Sequence, residues 1–272
     1  MALSALDRIR LDKAAVDEGF GLRRTAEESG DWLAYGSLGA PAALRLTRAA
    51  EGYVVAVDHP GVAADLAERW MAWPGAAPSG FTAFVVADLA PLHDLVRDVW
   101  RLARSLPTAP LRTFEDRTAA LARSTEAERL TVRRIGQDLF RAALMDYWSG
   151  ACAVTGLSDS RLLRASHIRP WAACDSDAER LDVHNGLLLA VHLDAAFDAG
   201  LIAFADDGAL LATPAFAAAD RNILSIHDGM RLRRVAPAHR PRLAWHRAVV
   251  FCGDGKPVGR YGTVVDAHLD VS

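Results

Sequence analysis

Three short runs between residues 163 and 198 restrict this chain more than any other feature. Leu163-Arg164-Ala165-Ser166-His167-Ile168-Arg169-Pro170-Trp171 puts a histidine at the end of an apolar run. Asn185-Gly186-Leu187-Leu188-Leu189 sets an Asn-Gly turn signal before a second apolar run. His192-Leu193-Asp194-Ala195-Ala196-Phe197-Asp198 follows at once and opens a helix with an imidazole and a carboxylate in its first turn. The order is strand, turn, strand, helix, with the polar groups at the junctions.

The flanking sequence is legible as alternating elements. Ser4–Glu18 reads as an amphipathic helix. Short β-like runs follow at 32–35, 43–46 and 53–57, with Glu51-Gly52 as a hairpin turn between the last two. A helix over 61–73, a Pro/Gly/Ser loop over 73–80, a strand over 81–86 and a helix over 89–106 complete an N-terminal α+β domain, residues 1–106. Ser105–Pro110 reads as a linker because its two prolines disfavour helix on both sides. A second domain, 111–265, would hold helices at 113–122 and 127–148, the latter breaking near Val132, and a short strand starting at 152–156. Asp206-Asp207-Gly208 between apolar runs predicts a further hairpin, and 241–251 a closing helix.

Composition narrows the class. A chain of 272 residues that is 51% hydrophobic and 24% charged is a globular protein with room for two cores. The net charge of −3 decides nothing about partners, but its distribution helps. Arg exceeds acid in 101–150 and 201–250, on either side of the motif segment, whereas acid dominates 51–100. The basic charge is nearly all Arg, the residue that grips two phosphate oxygens at once. Cys152, Cys174 and Cys252 stand apart with no Cys-x-x-Cys spacing, which argues against a thiolate zinc knot or a disulfide framework and for a cytoplasmic location. The first ten residues are too charged for a signal peptide, and no apolar run reaches the roughly 20 residues of a membrane span.

Phosphodiester hydrolysis needs a deprotonated water, charge neutralisation on the phosphate and help for the leaving 3′ oxygen. His167 is the candidate general base, since a neutral imidazole takes a proton near neutral pH. His192 and Asp194 are the candidate metal ligands, and the spacing leaves open which of them binds. A carboxylate suits Mg²⁺ or Mn²⁺, and Asp198, one turn on, shares the face of Asp194. The expectation is that the 167 imidazole and the 192–194 groups converge on one cation. Arg161, Arg164 and Arg169 are candidate DNA contacts, with Arg180 also bordering the site.

Residues 136–212 resemble the HNH endonucleases, in the subfamily whose motifs read Ala/Ser-His-Ile-x-Pro-Trp, Asn-Gly-Leu-x-Leu and Leu-Asp-x-x-Phe-Asp. The runs Gly136-Gln137-Asp138-Leu139-Phe140-Arg141 and Cys152-Ala153-Val154-Thr155-Gly156 and the segment Trp245–Phe251 add to the likeness. The resemblance implies a ββα-metal nuclease core wrapped by helices, with His167, Asn185 and His192 in catalytic roles and Asn185 tying the loop back to the His167 strand. It implies a divalent cofactor, Mg²⁺ by default with Mn²⁺, Ni²⁺ or Zn²⁺ as alternatives. It also implies double-stranded DNA as partner, and a restriction or phage-defence task that depends on DNA modification. Cutting both strands with one site per chain would call for a homodimer. Two departures stand out. Ser166 occupies the position before the base where many relatives have an Asp or His ligand, and Cys152 lacks the paired cysteines of zinc-stapled relatives. The first departure keeps an alternative open: a catalytically weakened HNH-fold protein that binds DNA or senses its modification.

Overall fold

Short alternating runs in the first ninety residues pair in chain order. The computed structural model describes residues 3–106, 108–121 and 124–251 and divides the chain into two units, Met1–Arg112 and Thr113–Ser272. In the first unit, helix α1 (Ala5–Asp17) is capped by the Ser4 hydroxyl, which accepts from the Asp7 N–H. Strands β1 (Leu22–Arg23), β2 (Leu33–Gly36), β3 (Leu44–Ala49) and β4 (Gly52–Val57) follow, then helix α2 (Pro60–Ala67), β5 (Thr82–Val86) and α3 (Leu89–Ser105). The five strands form an antiparallel sheet in the order β1-β2-β3-β4-β5. Val54, Ala56 and Ala83 lie under Trp32, Trp73 and Phe81 on one face, with the two indoles edge-on at 5.7 Å. The apolar stripe of α3 (Leu92, Leu95, Val96, Val99) is buried and packs with α1. Glu18 joins those two helices, accepting from Arg97 Nε at 2.8 Å and lying 3.0 Å from His93 Nδ1.

The second unit contains α4 (Thr108–Thr118), which begins in the first unit's last residues, and α5 (Glu126–Tyr147), β6 (Leu163–His167), α6 (Asp177–Arg180), β7 (Gly186–Ala190), α7 (Val191–Asp198), β8 (Ile202–Phe204), β9 (Leu210–Ala212), α8 (Ala218–Ile223) and α9 (Arg240–Val249). The architecture is α+β. The expected linker at 105–110 is mostly helix: Pro110 sits in the first turn of α4, where a missing N–H costs nothing. Helix α5 does not break at Val132, which is buried within it, and a Thr125/Glu128 capping box starts it. Residues 152–156 form a turn rather than a strand. There the Cys152 sulfur accepts from the backbone N–H groups of Val154, Thr155 and Ala190 at 3.3 to 3.5 Å, and Gly156 takes a φ of +76°. Pro107, Ala122, Cys252 and residues 252–265 of the expected second domain lie outside the described residues.

The β6–β7 hairpin is antiparallel and pairs Leu163 with Ala190 and His167 with Gly186. Helix α5 covers one face and α7 packs against the other. Gly186 is required by this packing, because a Cβ there would lie 2.4 Å from Phe140 Cζ and 2.9 Å from Leu144 Cδ1 on α5. Gly186→Ala should therefore destabilise the second unit by about 1–3 kcal/mol through overpacking. Urea unfolding of the variant checks this, and an unchanged midpoint would show that α5 can retreat at no cost.

Candidate functional site

Side chains alternate along a strand, so neighbours on β6 face opposite ways. His167 turns toward α5. Its ring stacks on Phe140 with centroids 3.8 Å apart and planes 15° from parallel, and it meets Trp171 edge-on at 5.7 Å. His167 Nε2 lies 2.9 Å from the Arg180 carbonyl oxygen. A carbonyl only accepts, so Nε2 carries the hydrogen and Nδ1 the lone pair. Burial against the aromatic rings pulls the imidazole pKa down to about 4, and the Arg180 carbonyl offsets only part of that.

The segment between the strands is stitched by two residues. Asn185 is fully buried: its Oδ1 accepts from the Arg169 N–H at 2.9 Å, and its Nδ2 donates to the Arg169 and Glu179 carbonyls at 3.1 and 3.3 Å. The Asn185 carbonyl accepts from the Ile168 N–H at 2.9 Å. Arg180 donates to the carbonyls of Trp171 and Cys174 and pairs with Asp177 at 2.9 Å. The chain just beyond His167 is thus held from two sides, and the ring's orientation follows.

Ser166 points the other way, toward α7. Its hydroxyl is buried and donates to Asp198 Oδ1 at 3.5 Å, and it lowers the pKa of the nearby Asp194 carboxyl. Asp194 and Asp198 are four apart on α7 and share one face. Burial holds the Asp194 carboxyl above the usual carboxylate range, against the opposing pull of Ser166 and of Arg164. His192 is set about 200° round the helix from Asp194, so the two do not share a face. Burial lowers the His192 pKa.

The structure therefore brings Ser166, Asp194 and Asp198 together, with the Arg164 charge nearby. It does not bring His192 to Asp194, and it puts the His167 ring on the opposite face of the hairpin, so the expected convergence of 167 with 192–194 on one cation is replaced by two groups back to back. No group of three His, Cys, Asp or Glu fit for a metal occurs among the described residues. Strand alternation was the signal that could have paired Ser166, rather than His167, with α7.

The arginines differ in their commitments. Arg161 is bidentate to Asp159, at 2.6 and 3.0 Å, though highly exposed. Arg169 Nη1 is held by Glu179 at 2.9 Å and Asp175 at 3.1 Å, and its guanidinium lies over Trp245, 5.7 Å from the ring centre. That places Arg169 in the loop's own structure. Arg164 is exposed, and its hydrogen bonds go to the neutral carbonyls of Arg161 and Leu163.

Helix α9 closes the unit. His246 stacks on Phe197 of α7 at 3.8 Å, its Nε2 donates to the Phe197 carbonyl at 3.3 Å, and its buried Nδ1 has no hydrogen-bond partner among the described residues. Burial takes its pKa to about 4 as well. Arg242, also on α9, donates to Asp182 Oδ2 at 2.5 Å, while His184 lies 3.1 Å from Oδ1. Those partners outweigh burial and keep the Asp182 pKa low.

Compared with protein-family models, residues 152–205 match HNH_2, an HNH endonuclease model, over about a fifth of the chain. The match spans the Cys152 turn, the hairpin, the Asn185 loop, α7 and β8. No curated protein matches. No helix among the described residues is long and apolar enough to cross a membrane.

The two depressed histidines make stability depend on pH. Below pH 6.5 the unfolded chain takes up protons that the native state refuses until about pH 4. Stability of the second unit is therefore full above pH 6.5 and falls as pH drops toward 4, by about 2 kcal/mol per histidine at pH 5. His246→Phe should lose less stability than the parent between pH 7 and pH 5 in urea titrations. An equal loss would refute the assignment.

Proposed function

We propose that this chain, whose residues 152–205 form an HNH endonuclease domain, is a metal-dependent nuclease that hydrolyses DNA phosphodiester bonds. A restriction or phage-defence task is the biological setting this reading favours, with residues 1–106 as the module that recognises the target. The observation that carries it is the hairpin-and-helix unit with a neutral, oriented His167 at the end of its first strand, inside the matched segment.

His167 is the general base. The Arg180 carbonyl fixes the tautomer so that Nδ1 is the atom that takes a proton from water, and Phe140 and Trp171 hold the ring plane. Asn185 acts through position only: it fixes Ile168 and Arg169, and with them the end of β6. Arg164 supplies an exposed cation to a phosphate.

The donor set around Ser166 fits a hard divalent cation. Two carboxylates and a hydroxyl offer oxygen, and the raised Asp194 pKa marks a carboxylate short of positive partners. Mg²⁺ keeps several waters and is commonly held by one or two carboxylates plus substrate phosphate, so Asp194 and Asp198 suffice for it without a third protein ligand. Mn²⁺, Ni²⁺ and Zn²⁺ are the alternatives. The ion, when bound, neutralises phosphate charge and eases departure of the 3′ oxygen. Because His167 and Asp194 flank the hairpin from opposite faces, this reading requires the scissile phosphate at the C-terminal end of β6, within reach of both.

Ser166 and the two-carboxylate set also favour a second reading, a DNA-binding or modification-sensing protein with a weakened site. One set of experiments separates the two. Plasmid DNA, modified and unmodified, is incubated with the protein and Mg²⁺, Mn²⁺ or Ni²⁺, beside His167→Ala. The nuclease reading expects cleavage that falls at least ~100-fold in His167→Ala with DNA binding retained. It also expects kcat/KM to hold below pH 6.5 and to fall only as the pH approaches about 4, where the base takes up a proton. Cutting undiminished by His167→Ala removes the assigned base, and DNA binding without metal uptake by calorimetry selects the second reading.

A further inference from the structure

A cavity of about 520 Å³ opens beside His167 on the α5 side of the hairpin. Trp171 and Arg180, both in contact with His167, form part of its wall, and Arg129 and Arg133 of α5 form another part. Glu126 and Asp177 complete its charged lining. Arg180 is fully engaged with Asp177 and with loop carbonyls, and its guanidinium lies 5.6 Å from the Trp171 ring centre. Arg129 and Arg133 are exposed and make no ion pair among the described residues. The cavity thus presents two unneutralised guanidinium groups.

Helix geometry orders these groups. Arg129, Arg133, Gly136 and Phe140 fall at i, i+4, i+7 and i+11 and so form one stripe of α5. Phe140 stacks the His167 ring. Gly136 seats Trp171, because a Cβ there would lie 2.4 Å from the indole Cη2. At about 1.5 Å of rise per residue, Arg133 lies some 10 Å and Arg129 some 16 Å along the helix from Phe140. At about 3.4 Å of axis rise per nucleotide, that distance covers roughly three to five phosphates of one strand.

We propose that this stripe is a backbone track: Arg129 and Arg133 hold phosphates of the DNA strand that leads to His167, with Trp171 as the side wall. The inference rests on the nuclease reading above. It assigns positioning residues that lie outside the matched segment, on the helix before it. An extended polyanion suits the site better than a compact one. The two free cations stand one turn apart on an open surface, and Glu126 disfavours a small polyphosphate filling the cavity.

The test measures DNA binding by the full-length His167→Ala protein, which separates binding from cleavage. Arg129→Gln and Arg133→Gln are added singly and titrated against a short duplex across salt concentrations. Each should lower the slope of log K against log salt by about 0.9 and weaken binding roughly eight-fold at 0.1 M salt. Arg134→Gln, exposed on the same helix about 100° off the stripe, should change neither. In the cleaving parent, the two stripe variants should raise KM with kcat nearly constant. Parental salt slopes in both stripe variants, or an equal loss in Arg134→Gln, would overturn the track and leave the nuclease reading in place. A parent that neither binds nor cuts nucleic acid overturns both. Binding of a mononucleotide as tightly as the duplex, sensitive to the same two variants, overturns the track in favour of a free-nucleotide site.

Discussion

The buried amide of Asn185 is the interaction on which the site depends. It satisfies both the N–H and the carbonyl of Arg169 and holds the Glu179 carbonyl, while its own backbone carbonyl takes the Ile168 N–H. An excursion of this length between two paired strands would otherwise leave its backbone groups to solvent and its ends to drift. With the amide in place, β6 ends at a fixed point, the Arg180 carbonyl meets the edge of the His167 ring, and it selects the tautomer. A single side chain thereby sets the geometry of a residue eighteen positions earlier without touching it.

The hairpin divides labour between its faces. Toward α5 it presents an imidazole among aromatic rings, where low dielectric keeps the ring neutral. Toward α7 it presents a hydroxyl beside a pair of carboxylates, where the same burial makes negative charge costly and a cation welcome. Opposite chemistries one residue apart follow directly from the two-residue period of a strand. The helices on either side differ accordingly: α5 is aromatic and small where it meets the hairpin, whereas α7 is acidic there.

Elements with strong local signals were legible. The apolar stripe of α3, the β3–β4 hairpin, the Asn-Gly turn into β7 and the Asp-Gly hairpin between β8 and β9 all lie close to where periodicity and turn chemistry put them. The misses have a common physical origin. Pro110 counts as a helix breaker by local rule, yet its position in the first turn of α4 removes the penalty. Cys152 looks, from sequence alone, like a strand residue lacking a zinc partner. Its thiol sulfur instead gathers three backbone N–H groups and closes the turn itself. In both cases the outcome hung on where a residue fell relative to an element boundary, which periodicity marks only loosely.

By itself the sequence determined the succession of strand, turn, strand and helix and the family likeness of the segment, which in turn implied the asparagine that ties the loop. Those properties are local, written in spacing and turn residues. Only the tertiary structure decided which side chains meet. It turned Ser166 rather than His167 toward Asp194 and Asp198, left His192 on another side of α7, drew Arg169 into the loop, and set Arg129 and Arg133 in line with His167. A strand has two faces and a helix many, and the choice among them belongs to the elements that pack against each, here α5 and α7.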